Sequence, residues 1–581
     1  MNQKIIIYQV FTRLFGNMNN CCKPNGTLQE NGCGKFSDFT PKALHEIHTL
    51  GCTHIWYTGI IEHATQTDYT QYGIRKDNPY IVKGKAGSPY AIKDYYDVDP
   101  DLAEIPQNRM KEFEALVTRT HEAGLKMIID FVPNHVARQY HSDKKPAGTK
   151  DLGEDDNTET HFSPNNNFYY IPRQEFCGQF PLGEGAEKYH EYPAKATGND
   201  CFGAYPGIND WYETVKLNYG IDYLNNRQTH FDPIPNTWIK MRDILLFWAS
   251  KQIDGFRCDM AEMVPVAFWG WVIPQIKDKF PHIDFIAEVY NPYEYRNYLF
   301  NGKFDYLYDK VGLYDLLREV VGGYRPASQI TACWQSLDDI KGHMLNFLEN
   351  HDEQRIASEY FAGDPQKAIP ALVVSAMMNT NPFMLYFGQE LGEAGMDCEG
   401  FSGKDGRTTI FDYWSINTVR NWVNEKKFNT ARLSSQQKEL RTLYKKILTC
   451  CNREKAIREG TFFDLMYVNL DNPQFNAYKQ YCFFRKYQNE FILIAVNFDD
   501  RDTTVSIKIP QHAFDVAEIP ETTEKLLFKE LLTLEEKEAP LNPQNRFDTP
   551  IKAHSAVIWK TKIHTTDTKT KKKQESRRKY K

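Results

Sequence analysis

The chain has 581 residues, of which 41% are hydrophobic and 25% are charged, and its formal net charge is −6 at pH 7. This composition is that of a globular protein and excludes wholesale disorder, and the length predicts two to four domains. The slightly acidic balance gives no electrostatic reason to expect a nucleic-acid partner. The longest apolar run, near Ala368–Met378, is too short to cross a bilayer, so we expect no membrane partner. The sequence gives no indication of oligomeric state.

Cysteine spacing and the N-terminus bear on cellular location. The 12 cysteines form no Cys-x-x-Cys pair with a matching partner, so a structural zinc site is not expected. Met1–Lys4 leads directly into the apolar run Ile5–Ile7, without the basic, apolar and small-residue pattern of a secretory leader. These features predict reduced thiols and a cytoplasmic location.

Short apolar runs alternate with amphipathic stretches such as Met110–Ala123 and Thr237–Gln252 over the first two thirds of the chain. The runs predicted as strands are Ile5–Phe11, His54–Tyr57, Lys126–Phe131, Asp254–Cys258, Asp284–Glu288, Phe304–Tyr308, Met344–Leu348 and Phe383–Phe387. Most are almost continuously apolar, which is typical of parallel strands buried on both faces. Eight strands alternating with helices predict an α/β fold, a (β/α)8 TIM barrel.

Two changes in pattern divide the chain into domains. After the third strand, residues 136–235 are rich in Asn, Asp, Gly, Pro and Tyr, which we interpret as an inserted domain, domain B. Beyond residue 451, alternating runs such as Ser555–Trp559 predict a C-terminal β-sandwich. The predicted division is a barrel at 1–135 and 236–451, domain B at 136–235, the sandwich at 452–561 and a basic disordered tail at 562–581.

Three acidic residues come at the ends of predicted strands, where the chemistry of a barrel is placed. Asp259 ends the fourth strand, Glu288 ends the fifth and Asp352 follows the seventh. Arg257, two residues before Asp259, shares its face of the strand and would keep that carboxylate ionised. An ionised aspartate facing a protonated glutamate is what retaining glycoside hydrolysis requires. Taken singly, each acid also fits an ordinary helix-capping role.

Two histidines add to this pattern. His135 and His351 both lie at strand ends, beside Asn134 and Asp352 respectively. Imidazoles at these positions would donate hydrogen bonds to sugar hydroxyls, although a lone strand-end histidine is more often structural. Aromatic residues make up 14% of the chain, and flat rings stack well on the apolar faces of sugars.

Four segments resemble the signature regions of glycoside hydrolase family 13, the α-amylase family. They are DFVPNH (Asp130–His135), GFRCDMAE (Gly255–Glu262), IAEVY (Ile286–Tyr290) and ENHDEQR (Glu349–Arg355). Their order and spacing match the family, and the segments around Gly51–Gly59 and Asn381–Gly392 resemble it as well. The resemblance implies that Asp259 is the nucleophile, Glu288 the general acid/base and Asp352 a stabiliser of the transition state. It implies further residues that bind the sugar or position the nucleophile: Tyr90, His135, Arg257, His351 and Arg355.

Two departures from the family pattern concern specificity. Family amylases often carry Lys-His three and four residues after the nucleophile, where this chain has Glu262 and Met263. This puts starch-type contacts on the leaving-group side in doubt. Ala91 follows Tyr90, where many α-glucosidases have an aspartate, which argues mildly against strict removal of terminal glucose.

Calcium is an open question at this point. In amylases of the family, the asparagine equivalent to Asn134 ligates calcium, together with domain B carboxylates and a backbone carbonyl near Met263. The acidic stretch Gly153–Asn157 offers hard oxygen ligands of this kind, or it is simply a solvated loop. The chemistry itself requires no cofactor.

The sequence therefore predicts a retaining α-glucan hydrolase that cleaves α-1,4 bonds in maltodextrins. A glucanotransferase or maltosyltransferase on the same scaffold is the alternative, because the covalent intermediate is shared and only the acceptor differs. The cluster Phe268, Trp269 and Trp271 would be either a water-excluding acceptor site or part of the core. A catalytically silent glycan-binding protein is a distant third, since all three acids are present.

Overall fold

A computed structural model describes residues 3–180, 187–397, 403–522 and 524–563. The predicted basic tail, apart from its first two residues, lies outside these ranges. Over the ranges that are described, every helix is too short or too polar to span a bilayer.

Eight parallel strands close into a barrel, as predicted. They are Ile6–Phe11, His54–Thr58, Lys126–Phe131, Gly255–Cys258, Asp284–Ala287, Tyr306–Tyr308, Met344–Phe347 and Phe383–Tyr386. Each strand pairs with its neighbours in chain order, and the eighth pairs in parallel with the first to complete the ring. The (β/α)8 fold class is thereby confirmed.

The barrel has two apolar faces, which explains why its strands read as continuous apolar runs. Ile7, Trp56, Ile128, Ile286 and Leu345 fill the interior. Because successive side chains on a strand point to opposite faces, the residues between them pack outward against the helices. Both sets are buried, so neither face carries the polar alternation of a solvated sheet.

Helices surround the barrel and extend into the C-terminal part. Their bounds are Thr12–Phe15, Leu28–Asn31, Pro41–Leu50, Arg109–Glu122, Asn236–Ala249, Val266–Lys279, Tyr295–Phe300, Asp315–Val321, Gln329–Ser336, Ile369–Met377, Asn417–Val423, Ser435–Arg453, Lys455–Arg458 and Gln511–Val516. The two amphipathic stretches singled out in the sequence form Arg109–Glu122 and Asn236–Ala249.

The segment between the third and fourth strands folds into small antiparallel pairs. They are His135–Ala137 with Thr214–Lys216, Tyr170–Ile171 with Ala194–Lys195, and Ile221–Asp222 with Gln228–Thr229. A separate cluster of buried aromatic and small side chains, including Tyr169, Phe176 and Ala194, packs beneath them. A further hairpin, Ile61–His63 with Ile92–Val98, follows the second barrel strand and was not predicted.

The C-terminal part consists of two antiparallel sheets. The larger contains Thr461–Asp464, Gln480–Tyr487, Glu490–Asn497, Lys525–Glu530, Glu536–Pro540 and Ser555–Lys562. The smaller pairs Thr503–Lys508 with Arg546–Ile551. Phe547 of the smaller sheet packs on Phe528 and Trp559 of the larger, with ring centroids 4.8 and 6.0 Å away. Two layers packed in this way form the predicted sandwich.

Candidate active site

The three acids of the sequence analysis converge at the carboxyl ends of the barrel strands. Asp259, Glu288 and Asp352 line one cavity of about 680 Å³, together with Tyr90 and His135. Asp259 and Glu288 are almost completely buried, whereas about a third of the Asp352 side chain is exposed. Residues far apart in the chain thus form one wall because the barrel closes.

Arg257 connects the acids from below. Its Nη1 lies 2.8 Å from Asp259 Oδ1 and 3.2 Å from Asp130 Oδ1, and its Nη2 lies 2.8 Å from Glu288 Oε2. Its Nε donates to the Tyr308 hydroxyl at 3.2 Å. A planar guanidinium held in this way fixes the position of both carboxylates.

Two hydrogen bonds also hold the Glu288 carboxylate in place. The backbone N–H of Met260 donates to Glu288 Oε2 at 2.7 Å, and the Tyr290 hydroxyl donates to Oε1 at 2.5 Å. Met260 adopts a left-handed conformation with φ of 43°, a strained backbone for a residue other than glycine. Glu262 accepts the N–H groups of Tyr290 and Asn291 at 2.6 and 2.9 Å. The residue that departs from the family pattern therefore holds the loop that carries Tyr290.

Burial changes the protonation of this cluster. It raises the pKa of Asp259 well above its usual range, and the positive charge of Arg257 opposes the rise while the negative charge of Glu288 adds to it. Burial and the charge of Glu288 likewise raise the pKa of Asp352 to about 7. Burial beside other carboxylates therefore lets Asp259 and Asp352 hold protons to a higher pH than exposed carboxyls do, and the positive charge of Arg257 opposes this effect at both residues.

The two histidines are neutral hydrogen-bonding groups. Burial lowers the pKa of His351 well below its usual value, with Arg257 contributing, and lowers that of His135 to about 3, with Lys216 contributing. His351 Nε2 lies 2.5 Å from the Tyr90 hydroxyl and 3.1 Å from Asp352 Oδ2. The histidines therefore offer neutral ring nitrogens, with His135 at the cavity wall and His351 directly behind it.

Comparisons with known proteins bear on this site. A model of the α-amylase catalytic domain matches residues 9–289. Alpha-amylase 2 of Dictyoglomus thermophilum is 24% identical over 86% of this chain and 70% of its own length. Neopullulanase 2 of Thermoactinomyces vulgaris is 21% identical over 88% of this chain and 72% of its own length. The crystal structure of a maltogenic α-amylase, AmyB of Thermotoga neapolitana, superposes with a TM-score of 0.60 at 18% identity, covering 97% of this chain and 99% of that one.

Residues 9–289 belong to the α-amylase family. This match, the related α-amylases and the similar α-amylase structures are consistent with a glycosidase. The four signature segments include or follow the carboxyl ends of the third, fourth, fifth and seventh barrel strands.

Arg355, like His351, is an implied sugar-binding residue that does not line the cavity. Arg355 is fully buried, and its guanidinium is bound to Glu349 at 2.9 Å, to Thr408 Oγ1 at 3.0 Å and to the carbonyl of Phe387 at 2.9 Å. All of these partners belong to the protein interior. We therefore correct the expected role of Arg355: its charge pairs with the buried Glu349, whose pKa burial raises to about 7.

Arg355→Met is expected to destabilise the protein by about 3–5 kcal/mol, because it leaves the Glu349 carboxyl buried without its partner. Urea unfolding followed by tryptophan fluorescence measures this loss. The matched control is Arg325→Met, since Arg325 pairs with Glu319 on the surface, where both side chains are about half exposed. That variant is expected to cost less than about 1 kcal/mol. Equal effects in the two variants would contradict the structural role of Arg355.

Several residues of the cavity were not predicted from the sequence. Trp211, Tyr212, Lys83 and Asp412 all line it. The Trp211 ring lies over His135, with centroids 5.2 Å apart. These residues come from the inserted segment and from loops, where periodicity carries no information. The signal available was the pair Trp211-Tyr212 in otherwise polar surroundings.

The aromatic cluster near residue 270 belongs to the core. Phe268 and Trp269 are fully buried in the helix Val266–Lys279, and Trp271 packs against the same core at its edge. Cys258, beside Asp259, is also buried. The structure therefore supports the interpretation of this cluster as part of the core and not as an acceptor site.

The residues around Asn134 do not fit a calcium site. Asn134 Oδ1, the expected ligand atom, accepts a hydrogen bond from Lys216 Nζ at 2.6 Å. In the acidic stretch, Asp156 accepts backbone N–H groups of Asn167 and Phe168, and Asp155 pairs with a surface lysine. Over the described parts of the chain, His, Cys, Asp and Glu form no group of three or more that could hold a metal ion.

Proposed function

We propose that the protein is a retaining hydrolase that cleaves α-1,4-glucosidic bonds in maltodextrins or starch-derived oligosaccharides. The observation that carries this proposal is the contact of Asp259 and Glu288 with the same guanidinium, at 2.8 Å each, at the wall of one cavity. A retaining enzyme needs one carboxylate as nucleophile and a second carboxyl group as general acid, and Asp259 and Glu288 at one cavity wall can take these two roles. We expect an α-glucan oligosaccharide as the partner and a cytoplasmic location.

The reaction would proceed in two displacements. Asp259 attacks the anomeric carbon while Glu288 gives its proton to the departing glycosidic oxygen, which leaves a β-linked glycosyl-enzyme and a free sugar hydroxyl. Glu288, now ionised, takes a proton from a water that attacks the same carbon and releases Asp259. Two inversions return the α configuration, and no cofactor takes part.

The other cavity residues would place the sugar between these two groups. Tyr90 offers a ring face, and its hydroxyl is fixed by His351. About a third of the Asp352 side chain is exposed at the cavity, so its carboxylate can bind sugar hydroxyls. His135 and Trp211 form the wall contributed by domain B. Stacking on rings and hydrogen bonds to hydroxyls would bring the anomeric carbon to Asp259.

Incubation with maltoheptaose, with all products followed over time, tests the proposal. Only shorter maltodextrins are expected, and ¹H NMR of the first product is expected to show the α anomer. Products longer than the substrate would favour the transferase alternative, and a β anomer would exclude retention. Unchanged substrate would contradict α-1,4-glucanase activity and leave the silent glycan-binding protein.

Asp352→Asn is expected to move the acidic limb of the kcat/KM profile to lower pH, by on the order of half a pH unit. The negative charge of Asp352 contributes to the raised pKa of Asp259, so its removal favours the ionised nucleophile at lower pH. The rate itself is expected to fall, because a hydroxyl-binding carboxylate is lost. Assays of the variant and of wild type across the pH range, on an activated maltoside, measure the shift. An acidic limb that moves to higher pH would contradict the assigned effect of the Asp352 charge on the pKa of Asp259.

A further inference from the structure

One buried lysine lies at the junction between the barrel and domain B. Lys216 ends the strand Thr214–Lys216, which pairs with His135–Ala137 directly after the third barrel strand. Its side chain is 2% exposed. Its Nζ lies 2.6 Å from Asn134 Oδ1 and 2.6 Å from Asp200 Oδ1, and 5.7 Å from the centre of the Tyr223 ring. An amide oxygen, a carboxylate and a ring face together form a cation site.

We propose that the Lys216 ammonium is a built-in cation that takes the place of a structural metal ion at this junction. The ammonium bonds the amide oxygen from the barrel and the carboxylate from domain B, which are the oxygen types that calcium prefers. It therefore links the two domains without a metal.

The groups around Asn134 are bonded to one another within the protein. Asn134 uses its Nδ2 to donate to the carbonyl of Gly198 at 2.8 Å, and the same atom lies 3.1 Å from His135 Nδ1. A Cβ at Gly198 would come within 2.6 Å of Thr214 Oγ1 and 2.9 Å of His135 Cβ, so the turn is closely packed there.

The charges at this junction also disfavour a bound metal ion. Lys216 and Asp200 form a neutral pair, and a divalent ion beside them would face an ammonium at short range. Desolvation lowers the pKa of Lys216, while the charge of Asp200 and its hydrogen bond raise it again. Burial and the positive charge of Lys216 both lower the pKa of His135. The charge at this position therefore adds to the effect of burial on the pKa of the cavity histidine.

The lysine also connects to the cavity wall. Asp200 lies in a tight turn in which Asp200 N–H donates to the Thr197 carbonyl at 3.2 Å. Its neighbour Asn199 donates to Asp210 Oδ1 at 2.8 Å and accepts the N–H of Trp211 at 3.3 Å. Trp211 in turn lies over His135. Lys216 is thus a positioning residue for the domain B side of the cavity.

The test compares wild type, Lys216→Met and the control Lys150→Met in the presence of EDTA and of CaCl2. Lys150 is a suitable control because it lies in the same domain and pairs with Asp155 on the surface, with both side chains more than half exposed. The readouts are the thermal midpoint and chymotryptic cleavage after Phe202 and Trp211, mapped by mass spectrometry. Neither readout depends on the substrate, so the result is independent of the proposed function.

Wild type is expected to give the same midpoint and the same cleavage rate with chelator and with calcium. Lys216→Met is expected to lower the midpoint by roughly 5 °C or more and to speed cleavage at both sites, while Lys150→Met changes neither. Chelator-induced cleavage at these two sites in wild type would overturn the proposal. So would a Lys216→Met protein as stable as Lys150→Met. If Lys216→Met does not fold, the wild-type cleavage experiment decides alone.

Discussion

Replacement of Asp259 by asparagine is expected to lower kcat on maltoheptaose by on the order of 10⁴-fold. The amide keeps the shape of the side chain and still accepts a hydrogen bond from Arg257, but it does not attack the anomeric carbon. Asp259 is buried among other carboxylates, and burial already raises its pKa, so removal of its charge relieves repulsion. The thermal midpoint is therefore expected to stay the same or rise, as measured by calorimetry beside the rate.

Two further variants make this experiment specific. Asp243→Asn alters a half-exposed carboxylate on the helix Asn236–Ala249 and is expected to change neither rate nor midpoint. Asp259→Gly is expected to regain turnover with added azide on an activated maltoside, giving the β-glycosyl azide, because the small anion attacks from the face that the nucleophile has vacated. An Asp259→Asn protein with a tenth of the wild-type rate would show that another group is the nucleophile.

The barrel could be predicted from the sequence because both faces of its strands are apolar. Continuous runs such as Lys126–Phe131 contrast with the polar loops that flank them, and each predicted strand lies within two residues of its observed position. The carboxyl end of each strand was therefore located well enough to place Asp259 and Glu288 on one rim. Closure of the barrel then brings these strand ends close together in space.

The hairpin after the second strand could not be predicted in the same way. Its strand Ile92–Val98 is entirely buried, yet it contains Lys93, Asp94 and Asp97. Lys93 is paired with Asp77 at 3.0 Å, and Asp97 is paired with Arg109. Hydropathy predicts a loop for such a strand, because it counts these charges as exposed and does not show the partners that satisfy them.

Prediction from the sequence has the same limit within the active site, because the sequence does not show which side chains are in contact. Arg355 occupies the position that the signature segment reserves for a sugar contact, but it pairs with Glu349 six residues earlier in the same segment. Nothing in the spacing distinguishes an arginine in the protein interior from one that lines the cavity. The contact of Lys216 with Asn134 is likewise a tertiary event between residues 82 positions apart. The motifs were enough to identify the three acids. The side chains that surround each acid could be found only from the folded structure.

Replacement of Glu288 by glutamine is expected to separate substrates by their leaving groups. On maltoheptaose, kcat/KM is expected to fall by about 10²–10⁴-fold, because the departing oxygen no longer receives a proton. On α-maltosyl fluoride the loss in the first step is expected to be small, since fluoride departs without protonation. Glutamine suits the site: its Oε1 can accept the Met260 N–H and lie beside Arg257 Nη2, and its Nε2 can donate to the Tyr290 oxygen. Rates on both substrates, measured side by side, give the contrast.

Glu262→Gln is the matched control for this contrast. Glu262 accepts the N–H groups of Tyr290 and Asn291 through one oxygen, so it shapes the loop beside Glu288 without being among the residues that line the described cavity. A change of loop geometry slows both substrates by a similar, modest factor, whereas loss of the proton donor slows only the substrate that needs one. Equal losses on maltoheptaose and on the fluoride in Glu288→Gln would therefore assign Glu288 a positioning role and require another acid. A large loss on maltoheptaose alone, absent in Glu262→Gln, identifies Glu288 as the group that protonates the leaving oxygen.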